Sequence, residues 1–236
     1  MRLIPPCVGS EKSLQFPSFC FSSSEGFMRF QHVFAFFFFF VFAVTSLAMA
    51  QADPTREELL GPRPNDIVMG KADAPVTIIE YASLSCSHCA DFYKNTVSAL
   101  KDNEIKNGTV RLVFRHFAGD PFSLNGALLS LCMPQASQDA YIATLLANQQ
   151  TWLNARGDLE PLKTITLQAG LSAEAISACW ANKAQKDALL QTRLDAEKVL
   201  GVEATPTLFL NGEKIEGGAV SIESLREKIA QIQGKQ

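Results

Sequence analysis

The sequence predicts an α/β domain whose single sheet is interrupted by a block of helices. Three observations predict it. Residues 76–117 run strand, helix, strand; residues 121–200 are rich in Ala, Leu and Gln without strand signals; and a sheet pattern returns after Gly201. The order is therefore β-α-β, an all-helical block of about eighty residues, then β-β-α, so helices enter an α/β fold without bringing a second sheet.

Taken in order, residues 51–75 contain Pro54, Gly61, Pro62, Pro64 and Pro75 with little periodicity and read as an extended N-terminal arm. The run Val76 to Tyr81 (VTIIEY) is β-branched and bounded by Pro75 and Ser83, which reads as a buried strand. From Cys86 to Ile105 the period changes, with Cys89, Phe92 or Tyr93, Val97 and Leu100 at three- to four-residue steps, as a helix requires. Asn107-Gly108 is a turn, and Thr109 to Phe117 is a second strand with Val110, Leu112 and Phe114 alternating against Arg111, Val113 and Arg115. Breaks at Pro134, Gly157 and Gly170 divide the helical block into three or four helices, with Ser137 and Ser172 as starts. Thr207 to Leu210 is the next strand, Asn211-Gly212 a hairpin turn, and Glu213 to Glu216 the returning strand. Ser221 to Ile232 closes as an amphipathic helix with Ile222, Leu225, Ile229 and Ile232 on one face.

Composition divides the chain at Ala50. Twelve of the 17 phenylalanines lie in residues 1–50, and the five others lie in the 186 residues that follow. Arg29, the unbroken apolar run Val33 to Val44 and the small residues Ala48-Met49-Ala50 describe a secretory signal over residues 28–50. The alternative is an uncleaved anchor, because the apolar stretch from Val33 to Ala50 is 18 residues and just long enough to span a thin bilayer. Residues 1–27 fit neither a charged signal start nor a domain and read as an over-extended start, translation beginning at Met28. Residues 51–236 carry 18 Lys and Arg against 22 Asp and Glu, a formal charge of −4, which argues against nucleic acid and anionic membrane surfaces as partners.

Four cysteines then remain in the body: Cys86, Cys89, Cys132 and Cys179. In an oxidising compartment four cysteines allow three pairings. Cys86 and Cys89 are separated by only two residues, so they close with each other if Cys132 and Cys179 pair across the longer loop. The other reading of Cys132 and Cys179 is two buried free thiols. Zinc wants four ligands, and the body offers no second CxxC and only His116 besides His88, so no metal is expected. A bridge closing four residues adds little stability. The CxxC is therefore read as a redox pair at a strand-to-helix junction, with no cofactor implied because the cysteines themselves carry the electrons.

At the start of a helix, unpaired N–H groups and the macrodipole favour thiolate over thiol. Cys86 is thus the expected nucleophile and Cys89, one turn on, the more buried resolving thiol. His88 between them is expected to stabilise the Cys86 thiolate through its imidazole; the alternative is an incidental polar residue. A lower Cys86 pKa makes the disulfide a stronger oxidant.

The strand TIIEYASLS, then CSHC, a helical insertion and GVEATPTLFLNG, together resemble the DsbA-like branch of the thioredoxin superfamily, in the single-domain type found in bacterial periplasms. The resemblance covers roughly residues 66–232 and implies a thioredoxin-like fold over 76–120 and 201–233, with an inserted helical subdomain over 121–200. It implies that Thr205-Pro206 is a cis-proline loop that binds an extended substrate segment beside the cysteines, and that Glu80 is a buried carboxylate able to move a proton for Cys89. Otherwise Glu80 is a strand-end glutamate facing solvent. Some relatives of this kind carry a second bridge such as Cys132–Cys179.

The chain departs from the best-known oxidase at two positions: Thr205 stands where that protein has valine, and Ser87 where proline is common. The implied activity is a periplasmic thiol:disulfide oxidoreductase. Its expected partners are reduced or unfolded exported proteins and a membrane quinone-linked reoxidase of the DsbB type, and it is expected to act as a monomer. The alternatives are an isomerase or reductase kept reduced, and a non-enzymatic chaperone for unfolded chains.

Overall fold

The computed structural model describes residues 53–153 and 157–234. The start region 1–27 and the signal 28–50 lie outside the described residues. In chain order the elements are α1 (Arg56–Leu60), β1 (Ile67–Met69), β2 (Val76–Ala82), the helix α2 spanning 87–105, β3 (Val110–His116), α3 (Pro121–Cys132), α4 (Gln135–Ala147), α5 (Gln149–Trp152), α6 (Glu160–Gln168), α7 (Ala173–Ala181), α8 (Lys183–Leu200), β4 (Thr207–Leu210), β5 (Glu213–Ile215) and α9 (Ile222–Gln233). The five strands form one sheet in the order β1-β3-β2-β4-β5. β2 and β3 are parallel, joined through α2, and the other three pairings are antiparallel.

The central strands are covered on both sides, which explains their near-continuous apolar sequence. Successive residues of a strand face opposite ways. Val76, Ile78 and Ala82 of β2 therefore join Leu112 and Phe114 of β3 and Leu208 of β4 in the larger core, with Cys89, Phe92, Val97 and Leu100 of α2 and Leu225 and Ile229 of α9. The opposite set, Ile79, Tyr81, Val113 and Phe209, packs against Leu59, Ala196, Leu200 and Val202. Glu80 belongs by this alternation to the face that α2 covers, and it is fully buried there. Each large aliphatic side chain removed from water contributes about 1.5–3 kcal/mol, so the two cores fix the strand faces strongly.

Two features depart from the sequence expectations. The stretch expected as an extended arm, 51–75, contains α1 and the edge strand β1, which pairs with β3 from Ile67↔Phe114 to Met69↔Leu112. What holds it is Arg115. The guanidinium donates to both carboxylate oxygens of Asp66 at 2.7 and 2.8 Å, to Tyr81 Oη at 3.0 Å, to the Gly61 carbonyl at 2.8 Å and to the Leu59 carbonyl. A residue expected on a polar strand face is thus buried, with its charge matched by groups from the arm. Among the described residues the helical block also holds six helices instead of three or four. The additional breaks fall at Asn148, between α4 and α5, and at Asn182, whose side chain accepts from Gln185 N at 3.0 Å and starts α8 one residue after α7 ends. Ser172 caps α7, but Ser137 lies inside α4, which begins after Pro134.

Within α2 the α-helix Ser87–Phe92 passes into π turns at Tyr93–Val97 and Lys101–Ile105. Asn211 and Gly212, with φ of 45° and 88°, make the tight β4–β5 turn. Among the described residues no helix is long and apolar enough to cross a membrane.

Candidate active site

Cys86 is the N-cap of α2, with extended backbone (φ −82°, ψ 121°) and no side-chain cap bond. Its sulfur therefore stands where the first helical N–H groups point outward without intrahelical partners. β2 ends at Ala82, and a turn closed by Cys86 N–H donating to the Ser83 carbonyl at 3.2 Å delivers the cysteine to the helix start. Cys86 is partly exposed and Cys89 is fully buried, and both are free thiols.

The Thr205–Pro206 peptide bond is cis. The loop it forms lies directly beside the first cysteine, since Cys86 Sγ donates to the Thr205 carbonyl oxygen at 3.2 Å. Gly218 packs closely on the other side: its φ is +64°, and a Cβ there would sit 3.3 Å from the Pro206 carbonyl. The β5–α9 loop that carries Gly218 is tied to α2 by Thr96 Oγ1 donating to the Val220 carbonyl at 3.2 Å.

The two thiols are driven in opposite directions. Cys86 is held down to about 5, first by the hydrogen bond from the Cys89 side chain, opposed by partial burial, and then by the Thr205 side chain and the backbone N–H groups of Cys89 and His88. The thiol's bond to the Thr205 carbonyl favours keeping the proton, but the donors gathered around the anion outweigh it. Cys89 is pushed far above the ordinary thiol range by its bond to Cys86, by burial, and by the charges of Glu80 and Cys86. Glu80 is raised to about 8, mainly by complete burial and then by the neighbouring Cys86 charge. Among the described residues, neither of its carboxyl oxygens has a hydrogen-bond partner.

His88 is brought to the site differently from the sequence expectation. Its side chain is exposed, and the contribution to Cys86 comes from its backbone N–H. His116, at the end of β3, is buried with Nε2 2.8 Å from Ser130 Oγ, and burial lowers it to about 3. Cys132 and Cys179 form a disulfide, with Cα atoms 6.4 Å apart, that joins the end of α3 to α7. Among the described residues no cluster of three or more His, Cys, Asp and Glu is placed to hold a metal ion.

Several residues that frame the site do so through long-range bonds that carry no local sequence signal. Gln149 of α5 donates through Nε2 to the Leu84 carbonyl at 2.7 Å and the Cys86 carbonyl at 2.9 Å. Ser85 Oγ donates to Asp120, which also caps α3 by accepting from Phe122 N at 2.9 Å and Ser123 N at 3.0 Å. Asp120 followed by Pro121 and Ser123 is a readable helix start, though the Ser85 bond is not. On the far side of α2, Tyr93 Oη donates to Asp139 of α4, which is also ion-paired with Lys101.

With this geometry in place, likenesses to known proteins become informative. A family model described as Thioredoxin matches residues 63–231. The chain is 28% identical over 160 residues, 66% of its length, to a putative protein-disulfide oxidoreductase of Rickettsia typhi, and spans 58% of that protein. It is 26% identical to disulfide bond formation protein D of Bacillus subtilis, over 71% of this chain and 78% of that one. The crystal structure of Wolbachia pipientis alpha-DsbA1 superposes with a TM-score of 0.72 and 31% identity, covering 77% of this chain and 97% of that chain. The described residues thus have the thioredoxin-like fold with a helical insertion, and the chain belongs to the DsbA-like family of oxidoreductases in the thioredoxin superfamily.

Proposed function

We propose that this chain is an exported, periplasmic thiol:disulfide oxidoreductase that introduces disulfides into other exported proteins. The observation that carries the proposal is the contrast between Cys86, partly exposed and held to about 5, and Cys89, fully buried and raised. A thiolate that is stable when released makes the disulfide a good oxidant, because reduction ends in a favourable anion.

Starting from the Cys86–Cys89 disulfide, a substrate thiolate attacks Cys86 Sγ. The Cys86–Cys89 bond breaks, and Cys89 leaves with the electron pair. Cys89 is poorly stable as an anion, and Glu80, raised to about 8 and hence protonated near neutrality, supplies its proton. The mixed disulfide lies along the Thr205-Pro206 loop. A second substrate thiolate then attacks the substrate sulfur, forms the new disulfide and releases Cys86 as thiolate. Two substrate thiols have become one disulfide and the enzyme is a dithiol. Its return to the disulfide requires an electron acceptor, and we assign that role to a membrane quinone-linked reoxidase of the DsbB type. In the reverse direction the same Glu80 takes the Cys89 proton as Cys89 attacks a mixed disulfide.

The second reading, a reductase or isomerase kept reduced, is favoured by Thr205, because threonine before the proline loop departs from the best-known oxidase. The test is the reduction potential of the Cys86, Cys89 couple in a glutathione buffer. The oxidant reading expects a value near −120 mV, and one near −270 mV would sink it.

A further inference from the structure

We infer that Gln149 is a positioning residue for Cys86, through which the inserted helical block holds the backbone on either side of the nucleophile. The inference rests on the proposed oxidoreductase function and adds a residue that the chemistry of the cysteines does not name.

Gln149 lies 63 and 65 positions from its two acceptors and is 8% exposed. An amide nitrogen has two hydrogens, and both are used here, one on the Leu84 carbonyl and one on the Cys86 carbonyl. Leu84 is fully buried, so its carbonyl is removed from water. The Cys86 carbonyl also accepts the first helical bond, from Ala90 N–H at 3.2 Å. A single nitrogen bound to carbonyls two residues apart stops the peptides between them from rotating. Those peptides set the Cys86 φ and ψ, and so direct Sγ toward Thr205 and the N–H groups of His88 and Cys89.

The clamp is itself fixed. Trp152 of the same short helix is fully buried, its indole N–H donates to the Leu145 carbonyl at 2.7 Å, and its ring meets Phe122 edge-on at 6.4 Å. Gln149 therefore holds the loop without first having to be ordered, as a preorganised donor should. The titratable groups facing Cys86 are Cys89 on α2 and Glu80 on β2. Without the amide, the Cys86 carbonyl is held by the Ala90 bond alone and can tilt its negative end toward the sulfur, and the thiolate loses its aligned donors.

Two variants test this. Gln149→Met keeps the length and removes both donors; Gln149→Glu keeps the shape and sets an acceptor against two carbonyls. The readout is the ultraviolet thiolate titration of reduced Cys86, with circular dichroism to establish that each variant is folded. We expect the midpoint to rise by about one pH unit in Gln149→Met and further in Gln149→Glu. A folded variant that titrates like the wild type overturns the inference, because a residue that merely stabilises the fold lowers the unfolding temperature without moving the thiol. Should both fail to fold, Gln149→Asn, whose shorter amide cannot span both carbonyls, carries the same comparison and the same criterion. If the wild-type midpoint itself lies in the ordinary thiol range, the proposed function fails, while the difference between wild type and variant still decides the role of Gln149.

Discussion

Glu80 and Cys89 sit on the same buried side of the sheet, and the carboxyl charge is one of the causes that raise the Cys89 thiol. Neither group forms a stable anion there, so a proton passed between them costs little, whereas a proton lost to solvent costs the desolvation of a charge. Glu80→Gln keeps the shape and removes the exchangeable proton. It is expected to slow attack of Cys89 on Cys86 mixed disulfides about 10²-fold, measured by stopped-flow with a model peptide disulfide, and to leave the Cys86 thiolate formed.

The same carboxyl makes stability depend on pH with a defined sign. Its folded value, about 8, lies above the reference value of 4.5, so between these values the folded state holds more protons than the unfolded state. Stability from this group is complete below 4.5 and is lost as pH rises to 8, by up to about 5 kcal/mol. Glu80→Gln should therefore gain stability over wild type progressively across that window in urea titrations. Equal pH dependence of the two proteins would contradict the assignment.

Cys86 acts with the opposite sign, because its folded value of about 5 lies below the reference of 9.0. Its contribution is present in full above 9 and lost as pH falls through 5. The reduced protein should therefore melt above the oxidised one, with a gap that widens as pH rises from 5 toward 9. Calorimetry of the two redox forms checks it, and a gap that narrows over that range would count against a stabilised thiolate.

Cys89→Ala should accumulate mixed disulfides on Cys86, visible by mass spectrometry of exported proteins, and Cys86→Ala should abolish disulfide formation entirely. A chaperone that uses only the groove would keep its function in Cys86→Ala, so this variant separates the two classes of activity.

Outside the site, Arg115 and Asp66 are an ion pair with side chains 3% and 4% exposed. Asp66→Asn should destabilise by about 3–5 kcal/mol, because one buried charge then loses its partner. Removing the Cys132–Cys179 bridge by paired alanine substitution should cost about 4 kcal/mol from the loop of 47 positions it closes. Denaturant midpoints report both.

What the sequence made legible was local. The β2 and β3 runs, the CxxC at a helix start, the Asn211-Gly212 turn and the amphipathic α9 are each written in a period or a dipeptide that works over a few residues. What stayed hidden depends on partners far along the chain. Arg115 looks like an exposed strand position until Asp66, Leu59 and Gly61 are folded over it. Gln149 is one glutamine among many in a helical block until its amide is seen against Leu84 and Cys86. Asn148 and Asn182 are ambiguous because asparagine suits helix interiors poorly and caps well. A Thr-Pro dipeptide reads the same in cis or trans, so only the family resemblance raised the cis loop in advance. His88 lies at the expected place, yet it is the N–H common to every residue but proline, and not the imidazole, that faces Cys86.

The two outermost strands, β1 and β5, are three residues each, and β5 shows Glu213 and Lys214 to solvent. Unfolded polypeptides add readily to long, flat, apolar sheet borders. An oxidoreductase of the proposed kind would otherwise collect its unfolded clients there as unproductive extra strands. Under the proposed function, borders cut to a few bonds, one of them charged, would leave the proline loop as the favoured place for an extended client to lie, so selectivity for encounter beside the sulfur would be built into the margins of the sheet as well as into its centre.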